Sequence, residues 1–170
     1  MCITGTNYIT EKLLGSVATS TIEFCHYPIL LIGESIEFKV PKKIVLACDY
    51  NESENSKVIA PLVKLVKFFK AHVCVLNIER ELEPAVPAGE IVSEFMKLEL
   101  VMAEVDHSFH FVGTDDVIKG INEFVSMTNG DMVAMMPKKH GVVSKLFSEP
   151  HTKKMAFHSK VPLLALPNKK

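Results

Sequence analysis

A three-layer α/β domain on an open, parallel, five-stranded sheet is the fold this sequence predicts, and three observations predict it. Short apolar runs rich in Val, Ile and Leu recur through residues 42–167, each of strand length. Between them lie longer stretches whose apolar residues repeat at helical spacing. The two kinds of segment alternate, as parallel strands joined by crossover helices do.

The first run, KKIVLACD at 42–49, is continuously apolar between its charged ends and is followed by turn-forming residues, which suits a strand buried on both faces. NESENS at 51–56 supplies candidate N-caps. Ile59, Leu62, Val63, Val66 and Phe69 then line one side of a helix whose other side carries Lys57, Lys64, Lys67 and Lys70. Pro61 removes one backbone bond from that helix. HVCVLNI at 72–78 is the second strand, and a polar loop with Pro84 and Pro87 leads to a helix over about 88–104 built on Ile91, Phe95, Leu98 and Met102. VDHSFHFV at 105–112 alternates as a third strand. A helix over 115–128 follows, with Val117, Ile118, Ile121, Phe124 and Val125 inward, and Asn129-Gly130 stops it. DMVAMM at 131–136 is the fourth strand, a helix covers about 150–159, and VPLLAL at 161–166 is the fifth strand. The crossovers should be right-handed.

Composition narrows the function classes. The chain has 170 residues, 48% hydrophobic and 23% charged, enough for one well-buried globular domain with an extra segment. A net charge of −1 provides no field for nucleic acid or an anionic membrane, so neither is an expected partner. Cys2, Cys25, Cys48 and Cys74 form no CxxC pair and read as free thiols. The longest apolar run, PILLIG at 28–33, is too short to span a bilayer, and no basic-then-apolar leader opens the chain. The expected compartment is the cytoplasm.

Motifs that would demand an enzyme do not occur: there is no Walker loop, G-x-S-x-G elbow, HExxH or dinucleotide fingerprint. His107 and His110 are three apart on a strand and so face opposite ways, and a shared metal is not expected. His140, His151 and His158 lack an acidic or thiol partner, and no metal is expected. Cys48 has no base fixed beside it, and Met132, Met135 and Met136 read as core.

Residues 1–33 stand outside the alternation. TIEFCHYPILLI at 21–32 echoes KMAFHSKVPLLAL at 154–166, with Pro28 opposite Pro162. The first 33 residues therefore read as the closing helix and strand of a preceding unit, followed by a linker at 34–41 and a complete unit at 42–167. A glycine-spaced loop stands before that helix: Gly5, nine residues, then Gly15 and Ser16. In these features the sequence resembles the universal stress protein family, in its tandem two-domain form with the first domain truncated. That family's nucleotide-binding branch carries G-x2-G-x9-G-[ST] after the fourth strand, then a helix and a Pro-led apolar strand. Here Cys2 holds the place of the first glycine, and KKIVLACDYNESENS resembles the family's opening.

The resemblance implies a Rossmann-like, adenine-nucleotide-hydrolase-like fold. Glycines in such a loop let backbone amides and a helix N-terminus approach phosphate oxygens. A ligand of such a sheet binds beyond the strand ends, near Ala47, Cys48 and Asp49 and near Pro137, Lys138 and His140. The resemblance places Asp49 at the adenosine end. In the second unit, counting back from Pro162, the motif positions fall on Met136, Lys139, Glu149 and Pro150. Glu149 repels phosphate and Pro150 has no N–H, so the site is expected to be degenerate, with Gly5, Gly15 and Ser16 a remnant. The expected function is a non-catalytic stress-response regulatory or interaction module without a cofactor. Two alternatives stay open: a sensor that binds an adenine nucleotide, ATP or AMP, and a weak ATP hydrolase. Family members pair their last strands, which implies Ile29, Leu30, Leu31 and Ile32 beside Leu163, Leu164, Ala165 and Leu166 within this chain. A homodimer is expected to bury the apolar faces of residues 9–24.

Overall fold

The structure, a computed structural model, describes residues 2–3, 27–48, 56–79, 88–136, 155 and 158–167. Among them run the strands β1 (Cys2–Ile3), β2 (Ile29–Gly33), β3 (Lys43–Ala47), β4 (His72–Glu79), β5 (His107–Gly113), β6 (Met132–Met135) and β7 (Leu163–Ala165). The helices are α1 (Ser56–Phe69), α2 (Ala88–Met102) and α3 (Val117–Thr128). The sheet order is β1-β2-β7-β6-β3-β4-β5. Five of these strands, β7-β6-β3-β4-β5, are mutually parallel. They are the five that the alternation of apolar runs predicts, within an α/β architecture.

Continuous apolar strands need cover on both faces, and alternate residues supply two cores. Val45, Cys74, Leu76, Val133 and Met135 pack with Val117, Ile121, Phe124 and Val125 of α3. Ile44, Leu46, Val73, Val75 and Ala134 pack with Ile59, Leu62 and Val66 of α1 and with Leu98 and Met102 of α2. Every residue of β6 and β7 is buried, which is why their sequences carry no polar alternation. α1 accommodates Pro61 within its length. Asp131 ties two strand starts together: its Oδ2 accepts from the Lys42 and Lys43 amides at 2.8 and 2.9 Å, and its own N–H donates to the Lys43 carbonyl.

Some boundaries differ from the periodicity. β5 starts at His107 rather than Val105, because the Val105 N–H is taken by the Met102 carbonyl in the turn that ends α2. α3 starts at Val117, since Asp116 caps it by accepting from the Lys119 amide at 3.0 Å. Asn129 closes α3 with φ 53°, a left-handed conformation that asparagine tolerates. In the helix expected over 150–159, Met155 and His158 are helical, and the intervening and preceding residues lie outside the described residues.

The sheet is mixed rather than all-parallel, because two strands from the first 33 residues join it. β2 runs antiparallel to β7, pairing Ile29 with Ala165, Leu30 with Leu164 and Leu31 with Leu163. β1 runs parallel to β2, pairing Cys2 with Ile32 and Ile3 with Gly33. Partners on β1 and β2 are thirty residues apart in sequence, and so are partners on β6 and β7. Leu31 is 2% exposed and belongs to the α3-side core, so β2 contributes packing as well as backbone bonds. Leu31→Ala should therefore destabilise the protein by about 2–5 kcal/mol in urea denaturation. A loss under about 0.5 kcal/mol, the range of surface substitutions, would mean that β2 does not share the core.

Candidate functional site

The chain runs outward from β3 through β4 to β5, then returns to the other side of β3 to lay down β6 and β7. The crevice beyond the carboxyl ends of β3 and β6 is thus the topological switch point, where open α/β sheets bind ligands. Ala47 ends β3 and pairs with Met135, which ends β6. The Cys48 N–H donates to the Leu76 carbonyl at 3.1 Å, extending the β3–β4 ladder by one residue. Ala47 and Cys48 are 1% and 2% exposed and belong to the cores on opposite faces of the sheet. Their side chains pack; only their backbone borders the crevice.

Of the other residues expected at this crevice, Asp49, Pro137, Lys138 and His140 lie outside the described residues, as do Gly5, Gly15 and Ser16 of the glycine loop. The helical faces over residues 9–24 lie outside them too. The edge residues are described, and Ile29, Leu30 and Leu31 meet Ala165, Leu164 and Leu163 across the antiparallel pair. Ile32 pairs instead with Cys2, and the Leu166 N–H donates to the Met135 carbonyl at 2.8 Å.

The amino ends of the strands carry polar side chains that a reading by motif passes over. His72, at the start of β4, has Nδ1 2.9 Å from Asp106 Oδ2 and Nε2 2.8 Å from Ser108 Oγ. Ser108 Oγ is also 2.8 Å from His110 Nε2. Cys74 pairs with Ser108 across the β4–β5 ladder, and burial pushes its thiol up against the opposing influence of Ser108 and the charge of Lys43. Burial also pushes His110 below its ordinary value, helped by the charge that His72 carries when protonated and by that of Lys43. The signal for this cluster is parity: His72 and Cys74 share one face of β4, and Ser108 and His110 one face of β5. Seeing that the two faces coincide requires the strand register.

His107 and His110 point to opposite faces of β5. His110 packs on Phe124 of α3 with ring centroids 4.9 Å apart, while His107 reaches Glu99 of α2. The His107 ring has acceptors at both nitrogens: the Val105 carbonyl 2.9 Å from Nδ1 and Glu99 Oε2 3.1 Å from Nε2. Only the imidazolium donates to both. Burial alone would lower His107, but the Val105 carbonyl, Glu99 and the charge of Asp106 together raise it above its ordinary value. Among the described residues no group of three His, Cys, Asp or Glu side chains is placed to hold a metal ion, and no helix is long and apolar enough to cross a membrane.

No family model matches the chain, and no curated protein matches it. Solved structures do. The chain is similar to a universal stress protein from Archaeoglobus fulgidus DSM 4304 at 14% identity and a TM-score of 0.71, over 100% of this chain and 60% of that one. It is similar to a universal stress protein in complex with cAMP at 13% identity and a TM-score of 0.54, over 77% of this chain and 100% of that one. A universal stress protein from Archaeoglobus fulgidus in complex with dAMP matches at 10% identity and a TM-score of 0.50, over 75% of this chain and 99% of that one. Likeness at these identities is likeness of fold: the chain has the universal stress protein fold. It spans 60% of the length of the first of these structures.

The His107 contacts give a signed pH dependence. A histidine raised in the folded state adds stability that is full below its unfolded value of about 6.5 and fades as pH rises through the raised value. Glu99→Gln should lower the His107 titration midpoint measured by NMR. The variant should lose stability against the parent below about pH 6.5 and converge with it as His107 becomes neutral in both. A stability difference that is constant with pH would show that the imidazolium is not what Glu99 holds.

Proposed function

We propose that this chain is a universal stress protein of the tandem kind, a cytoplasmic stress-response regulatory or interaction module that performs no catalysis at its degenerate nucleotide crevice. In this reading residues 1–33 are the closing part of a first unit, 34–41 the linker and 42–167 the second unit. The observation that carries the reading is the register between β2 and β7. The sequence echo aligns Pro28 with Pro162, hence Ile29 with Leu163, Leu30 with Leu164 and Leu31 with Ala165. The strand pairing joins Leu30 to its own equivalent, Leu164, and joins Ile29 to Ala165 and Leu31 to Leu163. That is the contact of two equivalent strands about a local two-fold axis through the Leu30–Leu164 pair. The matching separation of thirty residues within β1–β2 and within β6–β7 supports the same equivalence.

Degeneracy of the crevice is supported by the residues at the phosphate-loop positions of the second unit, Met136, Lys139, Glu149 and Pro150, none of them glycine. A second reading, an adenine-nucleotide sensor, is favoured by the two structures of this fold that hold cAMP and dAMP. In that case Asp49, Lys138 and His140 are the candidate contacts, and Gly5, Gly15 and Ser16 a remnant loop of the first unit. The module is proposed to act as a homodimer, an idea that a clean monomer in light scattering at high concentration would remove.

Titration calorimetry with ATP, ADP, AMP and cAMP separates the readings. The proposal predicts no saturable heat with any of them at dissociation constants tighter than about 1 mM, an affinity of about −4 kcal/mol. Saturable micromolar binding of one of them overturns the degenerate site and selects the sensor.

A further inference from the structure

The connected side chains at the amino ends of β4 and β5 lie at the opposite end of the strands from the crevice, and nothing in the proposed binding role uses them. Their order is Asp106, His72, Ser108, His110, with heavy-atom separations of 2.9, 2.8 and 2.8 Å. An ionised carboxylate at Nδ1 of His72 fixes the hydrogen there and leaves Nε2 with its lone pair. The Ser108 hydroxyl must then donate to His72 Nε2, because that nitrogen can only accept. Oγ keeps its lone pairs, and His110 Nε2 is the group placed to donate to them. An acid on Nδ1, a base at Nε2 and a hydroxyl on that base make up the linkage that activates a serine nucleophile.

We propose that Ser108 is a nucleophilic serine, activated by His72 and oriented through Asp106, that accepts acyl groups from small esters. Ser108 Oγ attacks the ester carbonyl carbon as its proton passes to His72 Nε2. The bond to the leaving alcohol breaks, His72 returns the proton to that alcohol's oxygen, and the acyl group remains on Ser108. Water then attacks the acyl carbon with His72 again taking the proton, and the carboxylic acid leaves as Ser108 recovers its hydrogen.

The surroundings set the substrate class. Ser108 and His110 are half-buried, and the Phe124 ring stands against His110, so the donor must be small and at least partly apolar. Lys43 Nζ is held 2.7 Å from the Thr128 carbonyl, and its charge reaches Cys74 and His110, where it favours negative charge developing beside Ser108. The Asp106 side chain is 81% exposed. Water screens so open a carboxylate, so Asp106 is a positioning residue whose loss costs less than loss of the base.

The full chain is treated with a fluorophosphonate probe and, separately, with p-nitrophenyl acetate, following adduct mass and its rate of formation. One adduct is expected, located at Ser108 by peptide fragmentation and absent from Ser108→Ala. His72→Gln should slow its formation by about 100-fold or more, the contribution of a general base. Asp106→Asn should slow it by a smaller factor, and Ser126→Ala should react as the parent does. Fragmentation of the labelled parent decides the site even if Ser108→Ala fails to fold. No adduct on the parent, an adduct on another residue, or an unchanged rate in folded His72→Gln overturns the proposal.

Discussion

The antiparallel pairing of β2 with β7 is the contact on which the rest of the sheet depends. β7 is three residues long, and each is no more than 4% exposed. A strand so uniformly apolar makes a poor sheet edge, where unpaired backbone groups and bare side chains invite association. β2 supplies the missing ladder and adds Leu31 to the core beneath α3. β7 in turn flanks β6, and β6 flanks β3, whose carboxyl end borders the switch-point crevice. The geometry of the candidate site is therefore set from the edge inward.

The two ends of the parallel strands are built differently. At the carboxyl ends of β3 and β6, the described residues are apolar: Ala47, Cys48 and Met135 fill the cores and leave only backbone toward the crevice. At the amino ends, Lys43, His72, Cys74, Ser108 and His110 gather on the α3 side, and Asp131 clamps the entry to β3. Apolar strands make the first arrangement inevitable, since the same residues must seal both faces of the sheet. The second arises where strands emerge from loops and half-buried polar groups must find partners among themselves.

Legibility in the sequence followed the strength of the local signal. The five parallel strands and three described helices were readable because continuous apolar runs alternate with helical spacing in lengths that leave one topology class. β2 was readable only through its echo of the last strand, PILLI against VPLLAL. β1 was not: Cys2 and Ile3 are too few to carry a period, and it takes a partner strand to make them one. The Asp106–His72–Ser108–His110 chain was also out of reach, since His72 stands on β4, Ser108 and His110 on β5 and Asp106 just before it, and His72 meets the others only through the register that sets Cys74 beside Ser108. HSFH yields opposite-facing histidines, but the partner of His107, Glu99, stands on α2 and no strand period points to it.

The account stands on β2 and β7 opening together as parts of one cooperative sheet. Native-state amide hydrogen exchange of the full chain measures this residue by residue. The account predicts that amides of residues 29–31 are protected to the same opening free energy as those of residues 163–165. Free exchange at residues 29–31 alongside a protected β7 would contradict it, because the edge would then be held by something other than β2.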